Sequence, residues 1–466
     1  MGLSLEARFE RYCSSMLSTM KHADREAPGR WYLKGLILPG GRKSVEPMAA
    51  RVRPDNVRSA HQSMHHLVSE APWSDEAMLG AVAQAVLPKL AAPDEPVTWI
   101  VDDTGLPKRG NHSVGVAHQY CGQTGKQDNC RVAVSLSIAT NAGSLPVAFR
   151  LYLPREWSGD AARCRKAGVP EGVGFATKPQ LAMQQIESAL QAGYPRGTVL
   201  ADAAYGGETV WREKLAELGL SYAVAVRGAT TVWWGPHQPA ADPATSPRGF
   251  GRPRSRLQRD ATHQPVAVAA LARELPASSW RTVTWRQGVA QPLRSRFARV
   301  RVSAANLDRP RAEEWLIIEW ARDAAAPAHY WLSNLPEAMA WQPMINTVMG
   351  RWRIEQDYEQ LKQELGLGHF EGRNWRGFHH HASLCVAAYG FLMLERLSGA
   401  KKNAARFTTP AIPADFRPRG SGTNAASHPV VDRDLPLSAR PCARKIVDPV
   451  SLLRKRATSN KSLLTQ

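Results

Sequence analysis

Cysteine is scarce in this chain, and its placement suggests no covalent staple. Six residues, Cys13, Cys121, Cys130, Cys164, Cys385 and Cys442, are spread over 466, with no C-x-x-C pair and no histidine at zinc-finger spacing. This excludes a disulfide scaffold and fits a reducing compartment, with the thiols serving as small apolar residues. Long hydrophobic runs are missing too. The longest, Ser383 to Leu394, falls short of the roughly 20 residues that a bilayer requires. The first residues show no charged, apolar, small-residue leader, so neither secretion nor a membrane location is expected. No tandem repeat is visible. Acidic side chains are in deficit: 41 Asp+Glu face 60 Lys+Arg, a net charge of +19. With 43% hydrophobic and 22% charged residues, wholesale disorder is excluded. At roughly 100–200 residues per domain, two to four domains are expected. The basic excess points to a polyanionic partner, nucleic acid first.

The charge is not spread evenly. Residues 1–96 carry a net +1, and 97–226 together with 332–366 are neutral, whereas 227–331 carry +8 and 367–466 carry +10. Every basic residue in 227–331 is arginine, and the same block holds Trp233, Trp234, Trp280, Trp285, Trp315 and Trp320. Arginine matches phosphate with a planar fork and stacks on rings, so this block reads as a nucleic-acid grip in which most tryptophans also fill a small β core.

The periodicity divides the chain further. Residues 4–91 are expected to be helical, with starts at Pro54-Asp55 and at Pro72 to Asp75, where Asp and Ser can cap. A linker, Ala91 to Pro96, precedes strands at Val97 to Val101, Arg131 to Ala139 and Leu145 to Leu153, the last two joined by a turn at Asn141-Ala142-Gly143. A helix at Gln180 to Ala192, a strand at Thr198 to Ala201, a helix at Glu208 to Leu218 and a strand at Ser221 to Val226 complete a mixed α/β sheet. Pro236 to Pro253 reads as a loop, followed by strands at Arg281 to Trp285, Phe297 to Val302, Trp315 to Trp320 and Tyr330 to Leu332. Asn346 to Leu365 reads as one strong helix. His379-His380-His381 reads as a surface turn, and His65-His66 as part of a helix. Beyond Lys401 the chain reads as a basic, disordered tail.

Three acidic points stand out. Asp102 and Asp103 follow a short apolar strand, just before Gly105 to Gly110, which includes Lys108 and Arg109. Asp202 follows the buried strand Thr198 to Ala201. Arg351, Glu355, Tyr358 and Lys362 fall at offsets 0, 4, 7 and 11 of the long helix and share a face. Ile354, Leu361 and Leu365 make a neighbouring apolar stripe that can dock on the sheet. Three crowded carboxylates resist ionisation, and a divalent cation relieves them. Mg²⁺ or Mn²⁺, two ions together, would suit such oxygen donors and phosphodiester chemistry.

These residues resemble the DDE transposases of bacterial insertion sequences, in the subgroup with a Y-x2-R-x3-E-x6-K signature. Arg351, Glu355 and Lys362 match R-x3-E-x6-K, whereas the Tyr position holds Val348. The stretches DDTGLPKRG and LADAAYG resemble the surroundings of the family's two aspartates. The resemblance implies Asp103, Asp202 and Glu355 as catalytic metal ligands, with Asp102 as the rival for the first position and Asp357 and Glu359 as rivals for the last. The separations are 99 and 153 residues, and the longer gap implies a β-rich insertion domain. The implied layout is a helical domain over 1–92 for end recognition, a ribonuclease H-like core over 93–228 and 332–400, an insertion over 229–331 and a tail over 401–466. It further implies a cytoplasmic, nucleoid-associated enzyme that cuts transposon ends and joins them to target DNA. Arg351, Lys362, Lys108 and Arg109 would contact DNA, and two copies would assemble as a homodimer on double-stranded DNA. The alternatives are a ribonuclease H-like nuclease without strand transfer and a non-catalytic DNA-binding derivative.

Overall fold

The N-terminal segments fold as five helices: α1 (Leu5–Leu17), α2 (Glu26–Ile37), α3 (Val45–Val52), α4 (Val57–Ser69) and α5 (Asp75–Leu90). Each presents its apolar stripe to a shared core, with Phe9, Met16, Leu36, Met64 and Val82 all buried. Ser74 caps α5, its Oγ accepting from Ala77 N–H at 3.0 Å. Asn56, rather than Asp55, caps α4, because Asp55 is taken by Arg53 at 2.7 Å. The computed structural model describes residues 3–400 except 94, 239–262, 288–291, 307–310 and 322–323. The tail beyond 400, Cys442 and most of the Pro236 to Pro253 stretch therefore lie outside the described residues. Apart from Gln287 and Pro292, the described residues belong to one compact unit.

The sheet begins with β1 (Thr98–Pro107), β2 (Ala117–Cys121), β3 (Lys126–Thr140) and β4 (Gly143–Leu151). Three short helices follow as α6 (Arg155–Ser158), α7 (Ala161–Lys166) and the longer α8 (Lys178–Gln191). Then come β5 (Thr198–Ala201), α9 (Ala203–Gly206), α10 (Thr209–Glu217) and β6 (Tyr222–Val226). The arginine-rich block supplies β7 (Thr231–Trp233), β8 (Val266–Ala267), α11 (Val268–Glu274), β9 (Arg281–Gln287), β10 (Pro292–Ala304) and β11 (Glu313–Trp320). The last described elements are β12 (His329–Ser333), α12 (Trp341–Val348), α13 (Arg353–Glu359) and α14 (Trp375–Ala400).

Among the described residues, twelve strands form one sheet in the order β2-β3-β1-β5-β6-β12-β11-β10-β7-β8, with β4 beside β3 and β9 beside β10. The expected mixed α/β architecture is thus observed. β3 runs antiparallel to both β1 and β4, whereas β5 and β6 run parallel to β1. The strands of the arginine-rich block join through β12, which pairs antiparallel with both β6 and β11. A buried ion pair pins this junction. Arg212 of α10 meets Glu314 of β11 at 2.8 Å, and Tyr222 of β6 donates its hydroxyl to the same carboxylate at 2.6 Å.

Helices cover both faces. α8 lies on one, where Gln185 donates to Val134 O at 3.0 Å. α13 lies on the other, where Tyr358 and Ser135 hydroxyls meet at 2.8 Å. α14 is apolar on all sides because it is enclosed by α2, α4, α5 and β4. This accounts for the Ser383 to Leu394 run, and among the described residues no helix is long and apolar enough to cross a membrane. The three histidines at its start are not a surface turn. His379, His380 and His381 lie in the first turns of α14 and are 4%, 2% and 1% exposed. Their ring nitrogens find partners on Trp375, Leu151, Val68, Trp73, Gly366 and Tyr32, which lets polar rings be buried.

Candidate active site

The two aspartate-bearing strands are neighbours in register. β1 and β5 pair in parallel with Thr98 opposite Thr198, Trp99 opposite Val199 and Ile100 opposite Leu200. The same offset of 100 carries Asp102 level with Asp202 and on the same face. Asp103, one residue on, faces the other side. The structure separates the pair accordingly. Asp102 is buried against Arg351, whose Nη2 lies 2.9 Å from its Oδ2. Asp103 reaches Lys178 at the start of α8, at 2.7 Å. These partners also explain a difference in strand length. β1 runs on to Pro107 instead of ending at Val101, since both mid-strand charges are neutralised.

Asp202 leaves β5 as the N-cap of α9, its Oδ1 accepting from Ala204 N–H at 2.9 Å. The small residues after it have a mechanical purpose. Gly206 packs directly against the Ala225 carbonyl of β6, where a Cβ would collide. Only glycine lets α9 sit this close and hold Asp202 at the strand's end.

The segment from Asn346 to Leu365 is not one continuous helix. α12 ends at Val348, a 3₁₀ turn spans Met349–Trp352, α13 follows, and a π turn spans Gln360–Glu364. The first break occurs where Gly350 weakens the helix and Arg351 reaches down to Asp102. The second lets Leu365 N–H bond Gln360 O at 3.1 Å, the i to i+5 pattern of a π turn. The apolar stripe docks as expected, with Ile354, Leu361 and Leu365 all buried. Arg351 also reaches Glu355, 3.8 Å away and largely exposed. Lys362 turns instead to β1, donating to Gly105 O at 3.2 Å.

Charge coupling follows this geometry. Burial pushes the Asp102 carboxyl up to about 7, Arg351 pulls it down, and the negative charges of Asp202 and Asp103 push it up again. Burial works against the Arg351 cation, but Asp102, Asp202 and Glu355 together hold its pKa above the ordinary value. One guanidinium therefore stands among three carboxylates. Among the described residues, no three His, Cys, Asp or Glu side chains are close enough to share an ion in this arrangement.

Other sequence candidates lie elsewhere. Asp357 is buried on Ser144 and Tyr389, and burial pushes it up to about 6. Glu359 is half-buried at the end of α13. Lys108 points inward to Phe370 O at 2.6 Å, and burial and Arg131 lower its pKa to about 7. Arg109 is exposed in the loop after β1. Lys178 is the partner that sequence reasoning missed, since nothing local links a helix start to an aspartate 75 residues earlier. Trp233 and Trp315 are buried, and Trp315, Trp341 and Trp352 are capped by arginines. Arg286 lies 3.8 Å from the Trp352 ring, Arg299 4.8 Å from Trp341 and 4.9 Å from Trp315, and Arg281 5.2 Å from Trp341. The Arg286 stack ends on the turn that carries Arg351, and the stacks on Trp341 end at the start of α12.

A family model described as DDE superfamily endonuclease matches residues 15–292. The chain belongs to that family. The match takes in Asp102, Asp103 and Asp202 and ends before Glu355. A curated relative, the probable transposase for insertion sequence element IS701 of Microchaete diplosiphon, is 32% identical over 195 residues. The aligned part is 41% of this chain and 47% of that protein, so the chain spans about half the length of the relative it matches. Among solved structures, this chain is similar to a piggyBac transposase in a synaptic complex with hairpin DNA. The likeness covers 88% of this chain and 79% of that one at 10% identity, and its TM-score of 0.32 is too low to carry an argument.

Proposed function

We propose that this chain is an insertion-sequence transposase that cuts the ends of its element and joins them to target DNA. The observation that carries the reading is the meeting of Asp102, Asp202 and Glu355 around Arg351. The sheet order supports a ribonuclease H-like core, with three antiparallel strands followed by two parallel to the first. The shared face and level with Asp202 favour Asp102 over Asp103 as the first carboxylate.

The donor set fits Mg²⁺ or Mn²⁺, because it offers only carboxylate oxygens and already draws in a cation, the Arg351 guanidinium. Asp102, Asp202 and Glu355 would hold two such ions, which when bound would activate the attacking oxygen and stabilise the leaving one. The protein's own share is positioning and charge. Asp102 and Asp202 are fixed by paired strands, and Gly206 sets the approach of α9. Glu355 is exposed and free to turn inward. Arg351, displaced as counter-ion, would face phosphate, and the Arg–Trp stacks would extend that contact along the DNA. Two ends must be joined, so a homodimer on double-stranded DNA is part of the proposal.

The test uses purified protein with Mg²⁺, DNA from the flanks of its own element and a plasmid target. Joined products are expected from wild type and from Asp103→Asn, and none from Asp102→Asn, Asp202→Asn or Glu355→Gln. Cleavage by Asp202→Asn at the wild-type rate would end the catalytic reading. Cleavage without joining would leave a nuclease only.

A further inference from the structure

A second basic feature lies away from the carboxylates. The loop after β1, the pair α6–α7 and the residues just before α14 meet around a cleft of about 420 Å³. Its lining includes His112, Arg163, Lys166 and Arg373, with no acidic residue among those described. The three segments are tied by their backbones. Val114 N–H donates to Arg373 O at 2.9 Å, and Trp375 N–H donates to Ala167 O at 2.8 Å. Arg163 is held in place twice, with its guanidinium 3.7 Å from the Trp157 ring and its Nη2 donating to Asn111 O at 2.7 Å. Trp157 is fixed in turn by its indole N–H on Val116 O at 2.8 Å. Lys166 and Arg373 are exposed, and neither is paired with a carboxylate among the described residues.

Arg163 is fixed and Lys166 and Arg373 are exposed beside it; three cations lining one cleft without a counter-ion repel one another, and an anion that bridges them relieves that repulsion. We propose that this cleft binds the phosphate backbone of the DNA duplex beside the cleavage site. The inference rests on the reading of the chain as a DNA-acting enzyme. Connectivity chooses DNA over other polyanions. The loop bearing His112 continues directly from β1, ten residues after Asp102. Ten residues reach at most ~34 Å, about one turn of B-form DNA. A duplex seated on the carboxylates and running toward this loop would meet the cleft within about one turn. Trp157 is buried beneath Arg163 and closed to bases, so the contact is with phosphate and carries no sequence preference.

The experiment measures fluorescence anisotropy of a 5′-labelled duplex of arbitrary sequence, on the full chain, over a salt series. Lys166→Gln/Arg373→Gln is compared with wild type and with Lys89→Gln/Arg196→Gln. That control removes the same charge before the N-terminal ends of β1 and β5, the opposite end of the strands from the carboxylates. Each lost phosphate contact lowers the slope of log K on log salt by about 0.9, so the cleft variant should lose about 1.8 and bind at least about tenfold more weakly near 0.1 M salt. Lys166→Gln alone should show about half the effect, which guards against misfolding of the double variant. A wild-type slope in the cleft variant overturns the proposal, and so does an equal loss in the control. Mg²⁺-dependent cutting by wild type is scored separately. Binding with the expected slope but no cutting would sink the transposase reading and leave the cleft standing, whereas absence of binding would sink both.

Discussion

Acidification should destabilise this protein through two buried histidines, and replacing both should remove most of that sensitivity. His379 and His381 each serve as neutral rings with both nitrogens engaged. His379 donates from Nδ1 to Trp375 O at 2.9 Å, and its Nε2 accepts from Leu151 N–H at 3.3 Å. His381 donates from Nε2 to Gly366 O at 3.0 Å, and its Nδ1 accepts from Tyr32 OH at 2.8 Å. A second proton on His379 would set two donors against each other. Burial pushes both rings down to about 3. In the unfolded chain they titrate near 6.5, so that chain takes up protons first. Their contribution to stability is whole above about pH 6.5 and is lost progressively as the pH falls toward about 3. At about pH 5, each costs ~2 kcal/mol, or ~4 kcal/mol for the pair. With ~2.1 cal/mol/K per residue over ~400 ordered residues, that is ~5 °C in Tm. The assay is thermal unfolding followed by tryptophan fluorescence at about pH 7.5 and pH 5, for wild type and His379→Gln/His381→Gln. Any constant loss from the substitutions cancels in the difference between the two pH values. Wild type should lose ~5 °C more than the variant, and equal losses would refute the reasoning. His380 is left in place. Its two nitrogens face the carbonyls of Val68 and Trp73, at 3.0 and 2.9 Å, which favours the charged ring, but burial outweighs them and lowers it to about 4, so its own acid sensitivity is common to both proteins and cancels in the comparison.

Other substitutions test the frame of the site. Gly206→Ala should cost ~2–3 kcal/mol by forcing α9 off the Ala225 carbonyl, and chemical denaturation would reveal a neutral change if that contact is slack. Arg212→Met should cost ~3–5 kcal/mol by stranding Glu314, whereas Arg212→Met/Glu314→Leu should recover most of it, and additive losses in the cycle would contradict this. Arg131 is 1% exposed, pairs with no carboxylate among the described residues, and burial lowers it to about 9. Arg131→Met should therefore leave Tm unchanged or raise it by the equivalent of ~1–3 kcal/mol, and a clear fall would show that its stacking on Phe378 outweighs the burial of its charge.

Much of this was readable before any fold was known, and the failures have physical causes. The strand from Thr198 to Ala201 has the same bounds in the structure as in its apolar run, because burial and a terminal Asp are local signals. Which of Asp102 and Asp103 faces Asp202 is not local. A strand's own pattern gives alternation, but the face shared with a neighbour depends on pairing, here Thr98 with Thr198. The breaks at Met349–Trp352 and Gln360–Glu364 escaped because counting at 3.6 residues per turn cannot register a tightened or widened turn. The histidine run misled because imidazole looks polar in sequence, whereas its partners come from Tyr32, Val68 and Leu151, far away in the chain.

α14 has a bearing on time as well as on packing. Tyr12 of α1 donates to Ala387 O at 2.8 Å, and Arg8 reaches Glu395 at 2.6 Å, so α1 is completed by α14. During synthesis the N-terminal helices emerge and then wait through some 285 further residues before Trp375 appears. At about 5–20 residues per second the delay is roughly 15–60 s, during which their apolar faces lack this cover. Glu355 is translated only just before that helix. A nascent chain that has not yet reached Glu355 thus has neither a finished core nor the full set of proposed carboxylates, and the two are completed within about 45 residues of each other.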